Sequence, residues 1–556
     1  MTYRAPVAEM RFLLDHVLGA DRLAATERFA EATAETREAI LAEAGRLAED
    51  VLAPTRRAGD LEPARLENGV VRASPGFGEA YRAYAEGGWV GIAADPAHGG
   101  MGLPVTLATC VNEMGSAANL ALSLCPLLSQ GQIEALEAHA DDRLKAIYLP
   151  KLVSGDWTGT MNLTEPQAGS DVGAVRSRAE PNGDGSFAVT GQKIFITWGD
   201  HDMAENVSHL VLARLPDAAP GTRGLSLFVV PKLIPGEDGS LGARNSLRVV
   251  SLEHKMGLHG SPTCVMAFEG ATGWLVGAPG GGMAAMFTMM NSARLGVGVE
   301  GVGVAEAALQ AARAYAGERR QGRSPVEGEP GLLGHADVRR MLGTMAALTG
   351  TARAIALDCA LSIDMGHATG EPGWTARAAF LTPIAKAFGT DVGCEVAALG
   401  VQVHGGMGYI EETGVAQFYR DVRVTPIYEG TNGIQAMDLV GRKLADGGAA
   451  ARGLLDEIAA TAGGEGPLAA AERELRAATE WMAAAAPNDR YAGAVPYLRA
   501  FALTLGGHYL LRGAQSDAAR GALAEFHLRQ MLPQVGGLLA AAREGAEGLY
   551  ALDLAS

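Results

Sequence analysis

"TCVMAFEG" (residues 263–270) and "AMFTMMNSARLGVGVEGVGVAEAALQAARAYAGERR" (285–320) stand close together and follow different rules. The first is a short run of apolar residues bounded by turn formers, the pattern of a strand. The second keeps the helical period for many turns. The architecture therefore changes near Gly281, and the contrast orders the chain on either side.

Upstream, from Trp157 to Gly280, the runs "FAVTGQKIFIT", "HLVLARL", "GLSLFVVP" and "SLRVVSL" are separated by turn clusters such as "PNGDGS" and "DAAPGTRG". With no helix between these strands, an antiparallel sandwich or barrel is expected. Residues 1–156 read as mostly helical: Val7, Met10, Leu14 and Val17 form an apolar stripe, and "FGEAYRAYAEGGWVGI" is a helix running into a turn. "TRRAGDLEPARLENG" (55–69) and "ADPAHGGMGLP" (94–104) read as loops. Downstream, residues 335–366 and 374–406 read as two more long helices, the second starting late or bending at Pro383. After the Ala/Gly linker "DGGAAARG" (446–453) come further amphipathic helices. The expected class is α+β, with a helical domain (1–156), a β domain (157–280), a helical bundle (281–446) and a helical extension (447–556).

A chain of 556 residues with 48% apolar and 20% charged residues is globular, and a formal charge of -17 disfavours nucleic acid or an anionic membrane as partner. Five scattered cysteines without a CxxC pair or metal-ligand spacing suit buried thiols in a reducing compartment and no metal. The opening residues lack a secretory pattern and no membrane span is read, so a cytoplasmic location is expected.

Four stretches carry Gly, hydroxyl and amide residues where a core needs none: "MNLTEPQAGSD" (161–171), "GQKIFITWGD" (191–200), "ERRQGR" (318–323) and "QVHGGMGYIEETGVAQFYRDVRVTPIYEGTNGIQ" (402–435). Singly, each is compatible with a turn, a strand end or a helix cap. Their order and spacing resemble the flavin-dependent acyl-CoA dehydrogenase superfamily over residues 30–445, with "TEPQAGSD" and "YEGTNGIQ" the most characteristic motifs and "GWVGIAADPAHGGMGLP" (88–104) a third match. "YRAPVAEMRFLLDHVL", "EHKMGLHGSPTC" and the long extension look like a bacterial branch of larger dehydrogenases acting on 3-methylmercaptopropionyl-CoA or fatty acyl-CoAs.

The resemblance implies α,β-dehydrogenation of an acyl-CoA thioester to the trans-2-enoyl-CoA, with FAD as cofactor and electron-transfer flavoprotein as acceptor. Glu429 is the implied base, able to aim its carboxylate and its own N–H into one cavity from a Gly-flanked loop. Burial is expected to raise its pKa. Leu163, Thr164, Gly169 and Ser170 match the flavin's pyrimidine side and pyrophosphate. Phe195 stands where Trp often covers the ring, and Thr197 would bond near N5. Arg319, Gln321, Gln402, Gly405 and Gly406 match contacts to a neighbouring subunit's flavin, so the active unit is expected to be a homodimer, with tetramers common in smaller relatives. The segment "ERRQGR" lacks the Phe usual after Gln321. Thr431 follows the base toward the cofactor. Ser170, Asn291, Arg294 and Gly430 match substrate contacts, although Asn291 stands where Asp is common. Met283, Met286 and Met290, followed by Gly296, Gly298, Gly301 and Gly303, read either as plain core or as the wall of an adaptable acyl tunnel. Two other activities share these motifs: an oxidase that passes electrons to oxygen, and a non-catalytic scaffold. The intact "YEGT" counts against monooxygenase and nitroalkane oxidase relatives.

Overall fold

The computed structural model describes residues 3–326, 328, 329 and 331–554. Two compact units divide the chain: one comprises Met1–Gly45, Pro104–Ala117 and Arg294–Ser556, the other Arg46–Leu103 and Ala118–Ala293.

The second unit is built on a seven-stranded sheet of Trp157–Asn162, Arg178–Pro181, Phe187–Thr197, Asn206–Arg214, Leu225–Pro231, Leu247–Leu252 and Thr263–Val276. Val189, Ile196, Val211, Phe228, Val230, Met266 and Phe268 supply its buried side. Most pairings are antiparallel, as the missing crossovers predict. Trp157–Asn162 runs parallel to Asn206–Arg214, and Arg178 of Arg178–Pro181 also pairs in parallel with Arg214 of that strand. The connection from Trp157–Asn162 to Asn206–Arg214 is long enough to hold the "TEPQAGSD" loop and two intervening strands, which is the length a parallel return needs. Residues 55–69, expected to be a loop, instead carry the helix Arg56–Leu61 and begin a small hairpin, Arg65–Glu67 with Val70–Arg72. The left-handed Asn68 and Gly69 make that turn.

In the first unit three long helices dominate: Gly282–Glu318 (from Arg294 onward), Ala336–Thr369 and Pro372–His404. The last begins at Pro372 and continues through Pro383, so it does not start late. Its neighbour Thr382 sends its hydroxyl to the Ala378 carbonyl at 2.8 Å, giving that turn a side-chain bond. The glycines of the 282–318 helix explain themselves here. A Cβ at Gly298 would lie 2.5 Å from the Ala385 carbonyl oxygen, and one at Gly301 only 2.2 Å from that of Gly389. Gly298 and Gly301 are thus the contact of two helix backbones, not the wall of a tunnel. Met286 is fully buried, whereas Met283 and Met290 are half-buried.

The 336–369 helix is long and apolar enough to cross a membrane by composition, yet 89% of its apolar stretch is buried within the fold. Part of that cover comes from the extension. Asp358 on this helix accepts from Arg377 at 2.7 Å and from the Tyr509 hydroxyl at 2.5 Å, and Arg377 also pairs with Glu457 at 2.6 Å. Phe501 meets Phe380 edge-to-face at 5.0 Å. The extension is integral to this unit.

Candidate active site

The decisive local feature is the turn Tyr428–Glu429–Gly430. Glu429 has φ 54° and Gly430 has φ 83°, two left-handed residues in succession. Glycine adopts this freely, but glutamate does so at a cost of about 1–2 kcal/mol, so surrounding bonds must impose it. They do. The Gln435 side-chain amide donates to the carbonyls of Glu429 (3.2 Å) and Gly430 (3.3 Å). The N–H of Asn432 closes the loop onto the Pro426 carbonyl at 3.0 Å. Lys386, wholly buried, donates to the Thr425 carbonyl at one end of the loop and to Asn432 Oδ1 at the other, both at 2.9 Å. Asn432 in turn bonds Ala387, Thr390 and Asp391. Thr431 caps the helix Asn432–Gly441, its hydroxyl accepting from the Ile434 N–H at 3.3 Å.

Electrostatics follow from this packing. Burial lifts the Glu429 carboxyl to about 7, against the pull of Arg294 and Lys386. Arg294 is itself buried, and its guanidinium is drawn below its ordinary value by desolvation. Burial likewise pulls the Lys386 ammonium down to about 8. The cluster is therefore a carboxyl that changes charge near neutrality, facing two cations. That is the state a general base needs.

The other predicted residues of the second unit gather at one end of its sheet. Leu163, Thr164, Gly169 and Ser170 lie on the loop after Trp157–Asn162, and Phe195 and Thr197 end the strand Phe187–Thr197. Loop and strand are tied by the Ile194 N–H to the Thr164 carbonyl (2.9 Å) and by Lys193 Nζ to the Leu163 carbonyl (3.1 Å). Opposite Val265 the strand carries an extra residue, because Cys264 pairs with Ile196 while Met266 pairs with Lys193. Phe195 sits in this bulge at φ 59°, and the residue is 59% exposed. A bulge re-aims a side chain, and here it turns an aromatic face outward. Gly169 and Ser170 are exposed, and a Cβ at Gly169 would meet open space. Asn291 is exposed on the part of the 282–318 helix that belongs to this unit.

Arg319, Gln321, Gln402, Gly405 and Gly406 come together in the first unit, at the ends of two neighbouring helices. Tyr315 and His404 stack there, ring centroids 4.3 Å apart. All five residues are exposed, as are Met407, Ile410 and Tyr409, the last at 86%. Gly405 (φ 61°) ends its helix in a conformation that favours glycine.

Several residues that brace these loops escape a reading of motifs alone. Glu165 lies inside the "TEPQAGSD" motif, and its carboxylate takes bonds from Lys193 Nζ (2.9 Å), the Ser177 hydroxyl (2.6 Å) and the N–H groups of Arg176 (2.8 Å) and Ser177 (3.0 Å). Burial acts against ionisation, but Lys193 and these donors hold it down to about 2. It braces the loop. Lys386 and Glu300 carry no motif signature of their own, and Asn432 and Gln435 lie inside "YEGTNGIQ". The usable signal was a lone charge inside an apolar helix: Glu300 in "LGVGVEGVGV" and Lys386 in "PIAKAFG".

Along nearly its full length the chain is similar to known proteins. Residues 34–156, 160–271 and 280–444 match the N-terminal, middle and C-terminal domains of acyl-CoA dehydrogenases, and residues 449–553 match a domain described as acetyl-CoA dehydrogenase C-terminal like. The chain is 47% identical to 3-methylmercaptopropionyl-CoA dehydrogenase of Ruegeria pomeroyi, over 95% of its own length and 94% of the relative's. It is 35% identical to the broad-specificity linear acyl-CoA dehydrogenase FadE5 of Mycobacterium tuberculosis, covering 80% of this chain and 75% of that one. Its fold is similar to that of Caenorhabditis elegans ACDH-11, solved with C11-CoA, at a TM-score of 0.78 and 20% identity, covering 95% and 91% of the two chains.

Proposed function

The chain belongs to the acyl-CoA dehydrogenase family of flavin-dependent oxidoreductases acting on acyl-CoA, and on that premise we propose that Glu429 is its catalytic base and FAD its cofactor. The observation that carries this reading is the left-handed Tyr428–Glu429–Gly430 turn, held on every side and bearing a carboxyl that titrates near neutrality.

The residues fit a flavin. The outward Phe195 ring offers a stacking face, and the open space at Gly169, Gly405 and Gly406 leaves room for a ligand against backbone. Leu163, Thr164, Ser170 and Thr197 would hold the ring side, Thr431 would follow the base toward the cofactor, and Arg319, Gln321 and Gln402 would serve a neighbouring subunit's flavin. When bound, FAD supplies the acceptor for the β hydrogen and its electron pair. Glu429 takes the α proton, and its backbone N–H donates to the thioester oxygen as negative charge gathers there. Arg294 and Gly430 orient the CoA ester, Asn291 and Ser170 keep the substrate contacts assigned to them, and the Arg294 charge keeps a fraction of Glu429 ionised before the proton moves. The product is the trans-2-enoyl-CoA.

For the acyl group, similarity along nearly the full chain favours 3-methylmercaptopropionyl-CoA, a place in dimethylsulfoniopropionate demethylation, ahead of straight-chain fatty acyl-CoAs of β-oxidation. The acceptor is electron-transfer flavoprotein. A homodimer is supported by the exposed Met407, Tyr409 and Ile410 beside Gly405 and Gly406, an apolar surface next to residues assigned to a neighbouring subunit's cofactor. A cytoplasmic location belongs to the same proposal. The test is anaerobic bleaching of the FAD-loaded protein by a panel containing 3-methylmercaptopropionyl-CoA, butyryl-CoA and longer straight-chain thioesters. The thioether substrate should bleach fastest, and equal or faster bleaching by a straight chain would reassign the substrate. Peroxide formation matching turnover in air would replace the dehydrogenase with an oxidase.

A further inference from the structure

Glu300 lies inside the 282–318 helix, 1% exposed, on a stretch otherwise made of Gly, Val and Leu. Its Oε2 accepts a short hydrogen bond from the Tyr428 hydroxyl, and its Oε1 has no partner. A buried carboxyl with one bond and one orphaned oxygen gives the fold less than an apolar residue of the same size would. What it does provide is a fixed acceptor for the side chain immediately before Glu429. Tyr428 can hold its orientation only if that hydroxyl is anchored, and the next residue must then enter the left-handed turn.

Resting on the assignment of Glu429 as base, we infer that Glu300 is a positioning residue: through Tyr428 it aims the Glu429 carboxylate at the α proton. Lys386 pins the two ends of the loop, Gln435 pins the carbonyls of the turn, and Glu300 pins its entry. Burial raises the Glu300 carboxyl to about 8, so at neutral pH it is chiefly a neutral acid and adds little charge beside the base.

The test uses the FAD-loaded full chain with 3-methylmercaptopropionyl-CoA and butyryl-CoA as probes and an artificial electron acceptor. Glu300→Leu, which fills the space without the hydrogen bond, should leave Tm unchanged or higher and KM within about twofold while kcat falls roughly ten- to a hundredfold. Glu300→Gln, which still pairs with the phenol, should recover most of that loss. Tyr428→Phe should lose as much as Glu300→Leu, and the double variant no more than either alone. A Glu300→Leu enzyme with parental kcat, or losses that multiply in the double variant, would overturn the inference. Glu429→Gln in the same assay separates the two levels. If it is inactive while Glu300→Leu is fully active, only the positioning role fails; if it turns over, the base assignment and this inference fall together.

Discussion

At Glu429 two demands meet: a backbone conformation that costs a glutamate about 1–2 kcal/mol and a carboxyl that burial keeps from ionising easily. Both are typical of a residue placed for chemistry rather than for stability. The sign of the pH dependence follows. Only the carboxylate can accept the α proton, and its pKa in the free protein is about 7, so kcat/KM should rise with pH through that value and level off above it. Arg294 pulls that pKa down, so Arg294→Gln should move the rising limb to higher pH, besides any loss in substrate binding. A limb left in place by this substitution would show that the two side chains are not coupled.

Among the elements, the loop after Trp157–Asn162 and the strand Phe187–Thr197 depend on one buried ion pair, Glu165 with Lys193 at 2.9 Å. Removing the carboxylate strands a buried ammonium, so Glu165→Ala should cost about 3–5 kcal/mol in denaturant unfolding and loosen the flavin-side loop. The carboxyl sits near 2 in the folded protein against an ordinary 4.5, so its stabilisation is complete above pH 4.5 and disappears as pH falls through about 2. The glycine crossing gives a second check. Gly301→Ala would force a Cβ to within 2.2 Å of a backbone oxygen and should lower stability by about 1–3 kcal/mol. Much of this level was legible in the sequence: strand runs, long helices and the motif loops all announce themselves by period and turn chemistry. Other features were not. The bulge at Phe195 depends on register against Val265, and the run of helix through Pro383 depends on packing that overrides proline's local preference. The roles of Glu300, Lys386 and Glu165 depend on partners far away in sequence, which periodicity cannot supply.

For the whole molecule, the extension is a structural member of the first unit. Buried Asp358 and Tyr509, half-buried Arg377 and exposed Glu457 form one chain of polar contacts joining it to the long helices, and Arg499 reaches Glu395 at 2.9 Å. Helix Ala494–Ser516 is buried along most of its length, with Tyr497, Phe501 and Leu505 all inaccessible. A chain ending at 446 would uncover these partners and leave Asp358 and Arg377 without Tyr509 and Glu457. It should therefore aggregate or unfold at a markedly lower temperature than the full chain. A truncated form with unchanged Tm would show that the extension merely rests on the bundle. That 447–556 forms helices was readable from its amphipathic pattern; which helices it covers was not, because the contacts join residues 80 or more positions apart.

The most direct measurement is anaerobic titration of FAD-loaded Glu429→Gln with an acyl-CoA that bleaches the parent. The substitution keeps size and polarity and removes the proton acceptor. FAD should stay bound, with its visible absorption unbleached by the thioester. Bleaching at a rate near that of the parent would mean that another group takes the proton, and the role assigned to this turn would be wrong.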